Sequence, residues 1–363
     1  MGRKAMIIYG RLLTLAASCL VSLFTILGLY GGDTLPAKSL FTAGLTFMLP
    51  VLCVINVLLV IFWLIRRKIY ILIPIITLLL AWNYIGTILQ FRTSDPETEG
   101  TFTVATYNVR LFNQDNTGLQ AQDIMNMLLE EKADVVCLQE YNDQIDNEHG
   151  RVTQNMRKAY PYVAHGNGDM IILSRFPIRE TKNVPFEYSN NSFHWADVQV
   201  QPGKIVRVFN VHMETTGINR TLRAASKARE AAAEQPDSAA TDAYVHNSRV
   251  YEALMGNYVF SLSVRSGQSI LVANEKLASP HPIVLCGDFN DVPYSFTYNT
   301  LRGDLKDGFK EGGKGFMFTY RGAKGIFRID YIFHDESMEC AEYKLLDKNY
   351  SDHNPVISRL RFK

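Results

Sequence analysis

The pattern of apolar and polar positions divides the chain into two unlike parts that meet near residue 92. The first part holds three long apolar runs, Leu12 to Tyr30, Leu40 to Ile65 and Ile69 to Leu89. A helix needs about 20 apolar residues to cross a bilayer, so each run predicts a transmembrane helix. A cleaved signal peptide is the alternative for the first run, but that run lacks a clear cleavage site and two more follow it.

The positions of the basic residues predict how these helices lie in a membrane. Arg3, Lys4 and Arg11 flank the first run, and the Arg-Arg-Lys sequence at 66–68 connects the second run to the third. Because basic residues favour the cytoplasmic side, we expect the N-terminus inside and everything after Arg92 outside. The interpretation is an integral membrane protein of a bacterial inner membrane, with its larger part on the periplasmic side.

After a polar, acidic linker at 93–100, short apolar segments alternate with helical ones. Helical spacing predicts a helix over Leu119–Glu131, and the stretch after His212 predicts two helices joined by a turn at 235–242. Strands are predicted over Thr101–Arg110, Asp134–Glu140, Met170–Leu173, His194–Val200, Ile205–His212, Ile283–Cys286, Arg328–Phe333, Glu342–Leu346 and Val356–Phe362. This mixture is typical of an α/β domain.

Charge is distributed unevenly between the two parts. Residues 1–92 contain eight lysines and arginines and one acid, Asp33. Of the chain's 37 basic and 36 acidic residues, 29 and 35 therefore remain after residue 92, a net charge near −6, although the whole chain is +1. Sequence-independent binding of nucleic acid normally needs a basic surface. Nucleic acid is therefore one possible partner, but the net negative charge does not favour it.

Polar side chains recur where the predicted strands end. They are Asn108, Glu140, His212, Asp288, Asn290, Asp330, Asp352 and His353. An α/β domain usually builds its site at strand ends, so we expect these side chains to lie together. Carboxylates such as Glu140 and Asp352 suit Mg²⁺, which prefers oxygen ligands. Two histidines could donate to phosphate oxygens or to a leaving group, and Asp330 could hold one of them in the right tautomer.

Other chemistries find less support. The chain has no G-x-S-x-G turn, no P-loop and no G-x-G-x-x-G sequence, which weighs against acyl transfer and against NTP or NAD binding. The five cysteines are scattered, with no spacing typical of a zinc or redox site. Taken alone, the sequence at 351–355 is also good turn chemistry.

Seven motifs, taken in order, resemble those of the endonuclease/exonuclease/phosphatase superfamily, whose members include pancreatic deoxyribonuclease, abasic-site endonucleases, neutral sphingomyelinases and inositol-phosphate phosphatases. They are TYNVR, LQE, ILSRFPI, NVH, GDFND, RIDYIF and SDHNPV, and they cover about residues 101–363. The resemblance implies a four-layer α-β-β-α sandwich of two β-sheets flanked by helices, with the site at one end. The predicted organisation is a three-helix transmembrane anchor at 1–92, the linker at 93–100 and a catalytic domain at 101–363.

The resemblance also implies a metal and a base. Asn108 and Glu140 would bind or orient Mg²⁺, with Asp352 close to the same ion and Mn²⁺ as an alternative. Asp288 would orient and deprotonate the attacking water, and Asn290 would steady the phosphate.

The remaining implied roles concern the phosphoryl oxygens and the substrate. His212 and His353 would stabilise charge on the phosphoryl oxygens, with Asp330 supporting His353. Two weaker candidates for substrate contact are Tyr320, which strand packing explains equally well, and Arg265, which is either phosphate-facing or structural.

Together these features predict a membrane-anchored, Mg²⁺-dependent phosphoesterase that acts by in-line attack of water on a phosphodiester or phosphomonoester, with a slight preference for diesters. Nucleic acid, nucleotides and phospholipid or sphingolipid head groups all stay open as substrates. A catalytically silent, membrane-bound binding module of the same fold is the alternative. A transporter or sensor is less favoured, because the apolar runs carry no Asp, Glu, Lys or Arg.

Overall fold

A computed structural model describes residues 3–93, 99–113, 119–141, 156–187, 189–217, 221, 224–226, 239–322 and 325–363. Residues 94–98, which form most of the predicted linker, lie outside the described residues. The described chain consists of an N-terminal helical segment, residues 3–88, packed against two β-sheets and their helices.

The first predicted span is one helix, but the second is broken. Helix α1 (Arg3–Gly31) contains an apolar stretch of 26 residues, long enough to cross a membrane. Helices α2 (Leu40–Phe47) and α3 (Leu49–Ile65) occupy the second run and are bent by 63°. Pro50 lies in the first turn of α3. A proline has no N–H to donate to the carbonyl oxygen four residues earlier, and its ring clashes with that carbonyl, so α2 does not continue through it.

The third predicted span is too short. A 3₁₀ turn (Ile69–Ile71) leads into α4 (Leu72–Leu80), and a break at Ala81 separates it from the single turn α5 (Trp82–Ile85). The prediction of three transmembrane helices is therefore wrong for the described residues: one helix is long and apolar enough, or two if the bent pair counts as one span. The three spans were predicted from the length of each apolar run. That length does not show where a break in the helical backbone divides a run into shorter helices.

Strands appear at every place where period two predicted one. They are β1 (Leu89–Phe91), β2 (Thr101–Asn108), β3 (Val135–Gln139), β4 (Tyr162–His165), β5 (Met170–Ser174), β6 (Ile178–Pro185), β7 (Ser192–Gln201), β8 (Lys204–His212), β9 (Ile283–Asp288), β10 (Lys306–Asp307), β11 (Lys314–Phe316), β12 (Asp330–His334), β13 (Met338–Leu345) and β14 (Val356–Phe362). The sequence missed β1, β4, β6, β10 and β11. Of these, β6 is mostly exposed, so it carries little apolar alternation.

Two six-stranded sheets form the centre of the fold. Their orders are β13-β14-β2-β3-β5-β4 and β10-β12-β9-β8-β7-β6. Both sheets are mixed, because β2 pairs parallel with β3 and β8 pairs parallel with β9, whereas the other neighbours are antiparallel.

The period of two along each strand places apolar side chains on both faces of a sheet. On β2, Phe102 and Val104 join the cluster between the two sheets, which also receives Val206 and Val208 of β8. Tyr107 points to the opposite face and packs against helix α6 (Leu119–Glu130). The outer face of the second sheet packs against the helices at Ala239–Leu277 and Phe296–Arg302. The layers therefore run helix, sheet, sheet, helix.

One long helix covers the second of the two predicted helices. Helix α7 (Ala239–Leu277) has 39 residues and begins inside the predicted turn at 235–242. Residue 221 and residues 224–226, where the first predicted helix lies, are also helical, while residues 218–220, 222–223 and 227–238 lie outside the described residues. Two short helices follow later in the chain, α8 (Phe296–Arg302) and α9 (Gly308–Gly312).

The N-terminal helical segment is in close contact with the sheets. Strand β1 follows its last helix and pairs with β11. The buried Arg328 donates from Nη1 to the carbonyl oxygen of Thr87 at 2.9 Å, and Asn299 donates to the Asp33 carboxylate at 3.0 Å. At Gly32 a Cβ would lie 1.8 Å from the carbonyl oxygen of Tyr294, so only glycine permits this approach.

Candidate active site

The strand ends surround one cleft of about 640 Å³. Eight of the ten predicted site residues line it: Glu140, His212, Arg265, Asp288, Asn290, Tyr320, Asp352 and His353. The other two, Asn108 and Asp330, are 1% exposed and lie directly behind it, in contact with Glu140 and His353 respectively. The structure therefore brings all ten residues to one end of the sandwich, which agrees with the expectation from the strand ends.

Strand pairing explains this convergence. The parallel pair β2 and β3 ends with Asn108 beside Gln139, and Glu140 follows directly. The parallel pair β8 and β9 ends with His212 opposite Asp288. Because carboxyl ends of parallel strands meet at the same edge, residues far apart in sequence become neighbours.

Unusual backbone conformations aim several of these groups. Glu140 and Asn290 have φ of 49° and 51°, in the left-handed region that side chains other than Gly rarely adopt. Gly287 of the GDFN motif has φ of 138°, and a Cβ there would lie 1.9 Å from the carbonyl oxygen of Val211. Strain of this kind concentrates at functional sites, and it is consistent with a site here.

A chain of two carboxylates and one imidazole lies at the base of the cleft. His353 Nδ1 lies 3.0 Å from Oδ2 of Asp330, and its Nε2 lies 3.7 Å from Oδ2 of Asp288. Burial lowers the pKa of His353, but the charges of Asp330 and Asp288 outweigh it and raise that pKa to about 10. We call these three residues the carboxylate–imidazole chain, and its imidazole is protonated at neutral pH.

Asp288 is held by several donors and is nevertheless a weaker acid than usual. Asn108 Nδ2 donates to its Oδ2 at 3.1 Å, and the backbone N–H of Asn290 donates to its Oδ1 at 2.9 Å. Burial, together with the charge of Asp330, raises the pKa of Asp288 to about 6, although His353, His212 and Asn108 act in the opposite direction. A carboxylate of this pKa is ionised at neutral pH and can still accept a proton from water during a reaction.

The second histidine lies among three carboxylates. His212 Nδ1 is 3.7 Å from Asp169 Oδ2, and Nε2 is 3.8 Å from Glu140 Oε1 and 4.0 Å from Asp288 Oδ2. These separations are too long for hydrogen bonds, so the contacts are electrostatic and become ion pairs when the imidazole carries a proton. Burial lowers the pKa of His212, but the neighbouring carboxylates outweigh it and raise the net value.

Two exposed carboxylates fit a hard cation. The side chains of Glu140 and Asp352 are 33% and 28% exposed and both face the cleft, where a cation could keep its waters. Asn108 lies behind Glu140, and in this arrangement its Nδ2 donates to Glu140 Oε1 at 3.0 Å while its Oδ1 accepts from the backbone of Arg110. The oxygen-rich, open donor set matches the preference of Mg²⁺.

A second group of possible ligands is better explained without a metal. Atoms of Asp288, Asp330 and His353 lie within 4.8 Å of one another, and all three residues are buried. The imidazole lies between the two carboxylates and has a partner on each ring nitrogen. This is the arrangement of a proton-holding chain, and its burial leaves little room for the waters that Mg²⁺ retains.

The two weaker candidates differ in their surroundings. Arg265 is 1% exposed, and its guanidinium pairs with Asp291 at 3.3 Å and donates to the carbonyl oxygen of Glu214 at 3.0 Å. These contacts favour the structural interpretation, in which Arg265 supports the cleft wall. Tyr320 lines the cleft with its ring 5.1 Å from that of His353, which places it near any group bound there.

The sequence missed two residues of this site. Asp169 lies in a glycine-containing turn before β5 and outside the seven motifs, but β5 is antiparallel to β3 and so begins where β3 ends. Arg110, whose Nε lies 3.5 Å from Asp352 Oδ2, ends the TYNVR motif, and the sequence placed it only at the end of a predicted strand. One signal could have identified Asp169: it is a carboxylate directly before a predicted strand, and such a position joins the site when that strand runs antiparallel to a strand that ends in a motif.

Comparisons with known proteins agree with this geometry. The model of the Endonuclease/Exonuclease/phosphatase family matches residues 105–353, and a domain of unknown function (DUF8431) matches residues 10–88. Among curated proteins the comparison found no match. All three solved structures described next are under 25% identical to this chain and therefore bear on the fold alone.

Humanized TDP2 of D. rerio superposes with a TM-score of 0.52 at 16% identity, covering 72% of this chain and 100% of that one. D. rerio TDP2 complexed with a single strand DNA product gives 0.52 at 15% identity, with the same coverage. The endonuclease/exonuclease/phosphatase of Beutenbergia cavernae gives 0.50 at 20% identity, covering 73% of this chain and 72% of that one.

Proposed function

The chain belongs to the endonuclease/exonuclease/phosphatase family, and we propose that it is a Mg²⁺-dependent phosphoesterase that hydrolyses its substrate by in-line attack of water. The observation that carries this proposal is the carboxylate–imidazole chain at the base of an open cleft. A protonated imidazole beside an ionised carboxylate supplies a hydrogen-bond donor and a base within one site. Both are needed when water displaces an alkoxide from phosphorus.

The four side chains of the site, Asp288, His353, Asp330 and His212, have different tasks in the reaction. Asp288 holds the attacking water and takes its proton as the new P–O bond forms. His353 donates from Nε2 to a phosphoryl oxygen, and Asp330 keeps the proton on Nδ1 by accepting from it. His212 neutralises negative charge on the phosphoryl oxygens. It can also return a proton to the leaving oxygen as the bond from that oxygen to phosphorus breaks.

The residues that would hold a cation are Glu140 and Asp352, with Asn108 beside them. When bound there, Mg²⁺ supplies positive charge to the phosphoryl oxygens, and Mn²⁺ would serve in the same role. Arg110, paired with Asp352 at 3.5 Å, helps to position that carboxylate.

The substrate proposed is a phosphodiester, with a phosphomonoester as the second choice. The net negative charge after residue 92 gives no support to long-range attraction of nucleic acid. One structure of similar fold is nonetheless complexed with a single strand DNA product, so DNA belongs among the substrates tested.

We also propose that α1 anchors the protein in a bacterial inner membrane. Its length and apolar character suit a membrane anchor or a signal sequence. With the basic N-terminus in the cytoplasm, a single crossing places the catalytic part on the periplasmic side. A reporter fused after Arg92 should be active in the periplasm, and activity confined to the cytoplasm would refute this orientation.

The test of activity uses the full chain purified in detergent. Hydrolysis of bis-p-nitrophenyl phosphate, p-nitrophenyl phosphate, single-stranded DNA and sphingomyelin is measured with Mg²⁺, Mn²⁺ or EDTA. Asp288→Asn and His353→Gln are compared with Asp304→Asn, which changes an exposed carboxylate in the loop after α8. We expect the two site variants to lose about 10²- to 10⁴-fold in kcat and the control to retain it.

The outcomes separate the alternatives. Metal-dependent turnover that both site variants lose supports the phosphoesterase. A folded protein that turns over none of these esters under any metal, yet binds phosphate, supports the silent binding module instead.

A further inference from the structure

An aromatic wall lines the cleft beside the catalytic groups. Phe47 and Phe327 stack with their ring centroids 5.0 Å apart and planes inclined by 29°, and Tyr258 meets Phe47 edge-on at 6.0 Å. All three rings line the same cleft as Asp288 and His353. Each is partly buried and partly exposed, so the wall presents apolar surface to the cleft.

The three rings come from three separate parts of the chain. Tyr258 belongs to α7, and Phe327 precedes β12. Phe47 is the last residue of α2 and so belongs to the N-terminal helical segment, outside the region that the catalytic family model matches. The cleft is therefore completed by a segment that the family model does not include.

The position of Phe47 is set by the fold of that segment. The chain bends by 63° directly after α2, which directs the end of the helix toward the cleft instead of along α3. The contacts of Gly32 with Tyr294 and of Asp33 with Asn299 hold the start of this region against the sheets. The break that shortens the second apolar run thus has a use, because it brings an aromatic ring to the site.

Phosphoryl transfer itself does not need this wall. Its charged partners are Asp288, His212 and His353, whereas the three rings are aromatic, and the apolar residues Ile329 and Val292 line the same cleft. Apolar and aromatic surface inside a binding cleft typically contacts the apolar portion of a ligand, while a few polar groups fix its orientation.

We propose that Phe47 is a specificity-determining residue, and that the aromatic wall binds an alkyl or aryl substituent of the phosphate ester. This inference rests on the proposed function and narrows it to esters with an apolar substituent next to phosphorus. It also assigns a task to the N-terminal helical segment, which forms part of the substrate site in addition to any anchoring.

The test measures binding, not turnover. Methylphosphonate and hexylphosphonate carry a P–C bond that this chemistry does not cleave, and they differ only in apolar length. Their dissociation constants are measured by calorimetry on the full chain in detergent with Mg²⁺. A methylene that is fully buried contributes about fourfold in affinity, so partial burial of five should favour hexylphosphonate by on the order of tenfold or more.

Variants locate the effect. Phe47→Ala should reduce the hexyl-to-methyl ratio to about twofold while methylphosphonate still binds, and Phe47→Leu should restore most of it. Phe327→Ala probes the wall from the opposite side and should act in the same way. Phe41→Ala is the control, since Phe41 lies on the same helix, is 59% exposed and contacts Phe24 instead.

The outcomes are distinct for the two proposals. An unchanged ratio in Phe47→Ala, or an equal loss of both phosphonates, overturns the inference. Ester hydrolysis without any preference for hexylphosphonate overturns it while leaving the proposed function standing. A clear preference for hexylphosphonate without hydrolysis of any ester supports the aromatic wall as a binding surface and overturns the proposed hydrolysis. Binding of hexadecylphosphonate held in phosphatidylcholine vesicles is measured in parallel. Binding that depends on Phe47 indicates a membrane-borne substrate, and binding of hexylphosphonate alone indicates a soluble one.

Discussion

Asp330 offers the sharpest test of the site, because it is a buried carboxylate that acts through another residue. Its carboxylate lies 3.0 Å from His353 Nδ1, and it is 1% exposed. The pKa of His353 is raised from 6.5 to about 10 by Asp330 and Asp288 against the effect of burial. That difference corresponds to a net of about 5 kcal/mol in favour of the imidazolium, after the opposing effect of burial is subtracted.

Asp330→Asn keeps the shape and removes the charge. Burial then opposes a single carboxylate, so we expect the pKa of His353 to fall back toward its ordinary 6.5. At pH 7.5 the imidazole becomes largely neutral, so it loses its positive charge and can no longer donate from Nδ1 and Nε2 at the same time. The loss of one positioned donor predicts a fall in kcat of about 10²-fold or more.

The assay is the pH dependence of kcat/KM between pH 5 and 10.5, with Asp304→Asn as the control. In the unchanged protein the group with a raised pKa keeps its proton until the pH passes about 10, so the alkaline limb should lie there. In Asp330→Asn that limb should move close to neutrality. A variant that loses less than fivefold and keeps its alkaline limb would refute the role of Asp330, provided its thermal unfolding is unchanged.

Three further predictions concern acid sensitivity and backbone geometry. The acidic limb of kcat/KM should lie near pH 6, because Asp288 must be ionised to act as base; activity retained at pH 4.5 would contradict this. Burial lowers the pKa of His194 to about 3, so the unfolded chain takes up a proton first and stability falls as the pH drops from 6.5 toward 3. At pH 5 this costs about 2 kcal/mol, and thermal unfolding of His194→Phe should be less sensitive to acid by that amount, whereas equal sensitivity would rule it out. Gly287→Ala should destabilise by about 3 kcal/mol or more in thermal unfolding, while Gly256→Ala, where a Cβ meets nothing within 4 Å, should be neutral or stabilising; equal melting temperatures would contradict the steric argument.

Local patterns predicted most of the catalytic fold correctly. The helix expected over Leu119–Glu131 is observed over Leu119–Glu130, and β8 and β9 end at the polar residues that the motifs marked. This works because strand alternation and helical spacing record which face of an element is buried, and burial is the main energetic demand on each segment.

Longer-range features could not be predicted in this way. Each of the three apolar runs is long enough as a sequence to cross a bilayer, yet only α1 is continuous, since backbone breaks at Met48 and Ala81 divide the others. Asp169 lies outside the motifs, and its position beside His212 depends on which strands are neighbours in the sheets.

The sequence by itself therefore determined the chemistry available: the order of motifs, the residue types at the strand ends and the family. Only the tertiary structure decided their relations, including the burial that separates the pKa values of Asp288 and His353 and the placement of Phe47 in the cleft. The physical reason is that hydrophobic periodicity is a property of neighbours along the chain. Electrostatic coupling and cleft shape depend instead on distances between residues that the sequence keeps far apart.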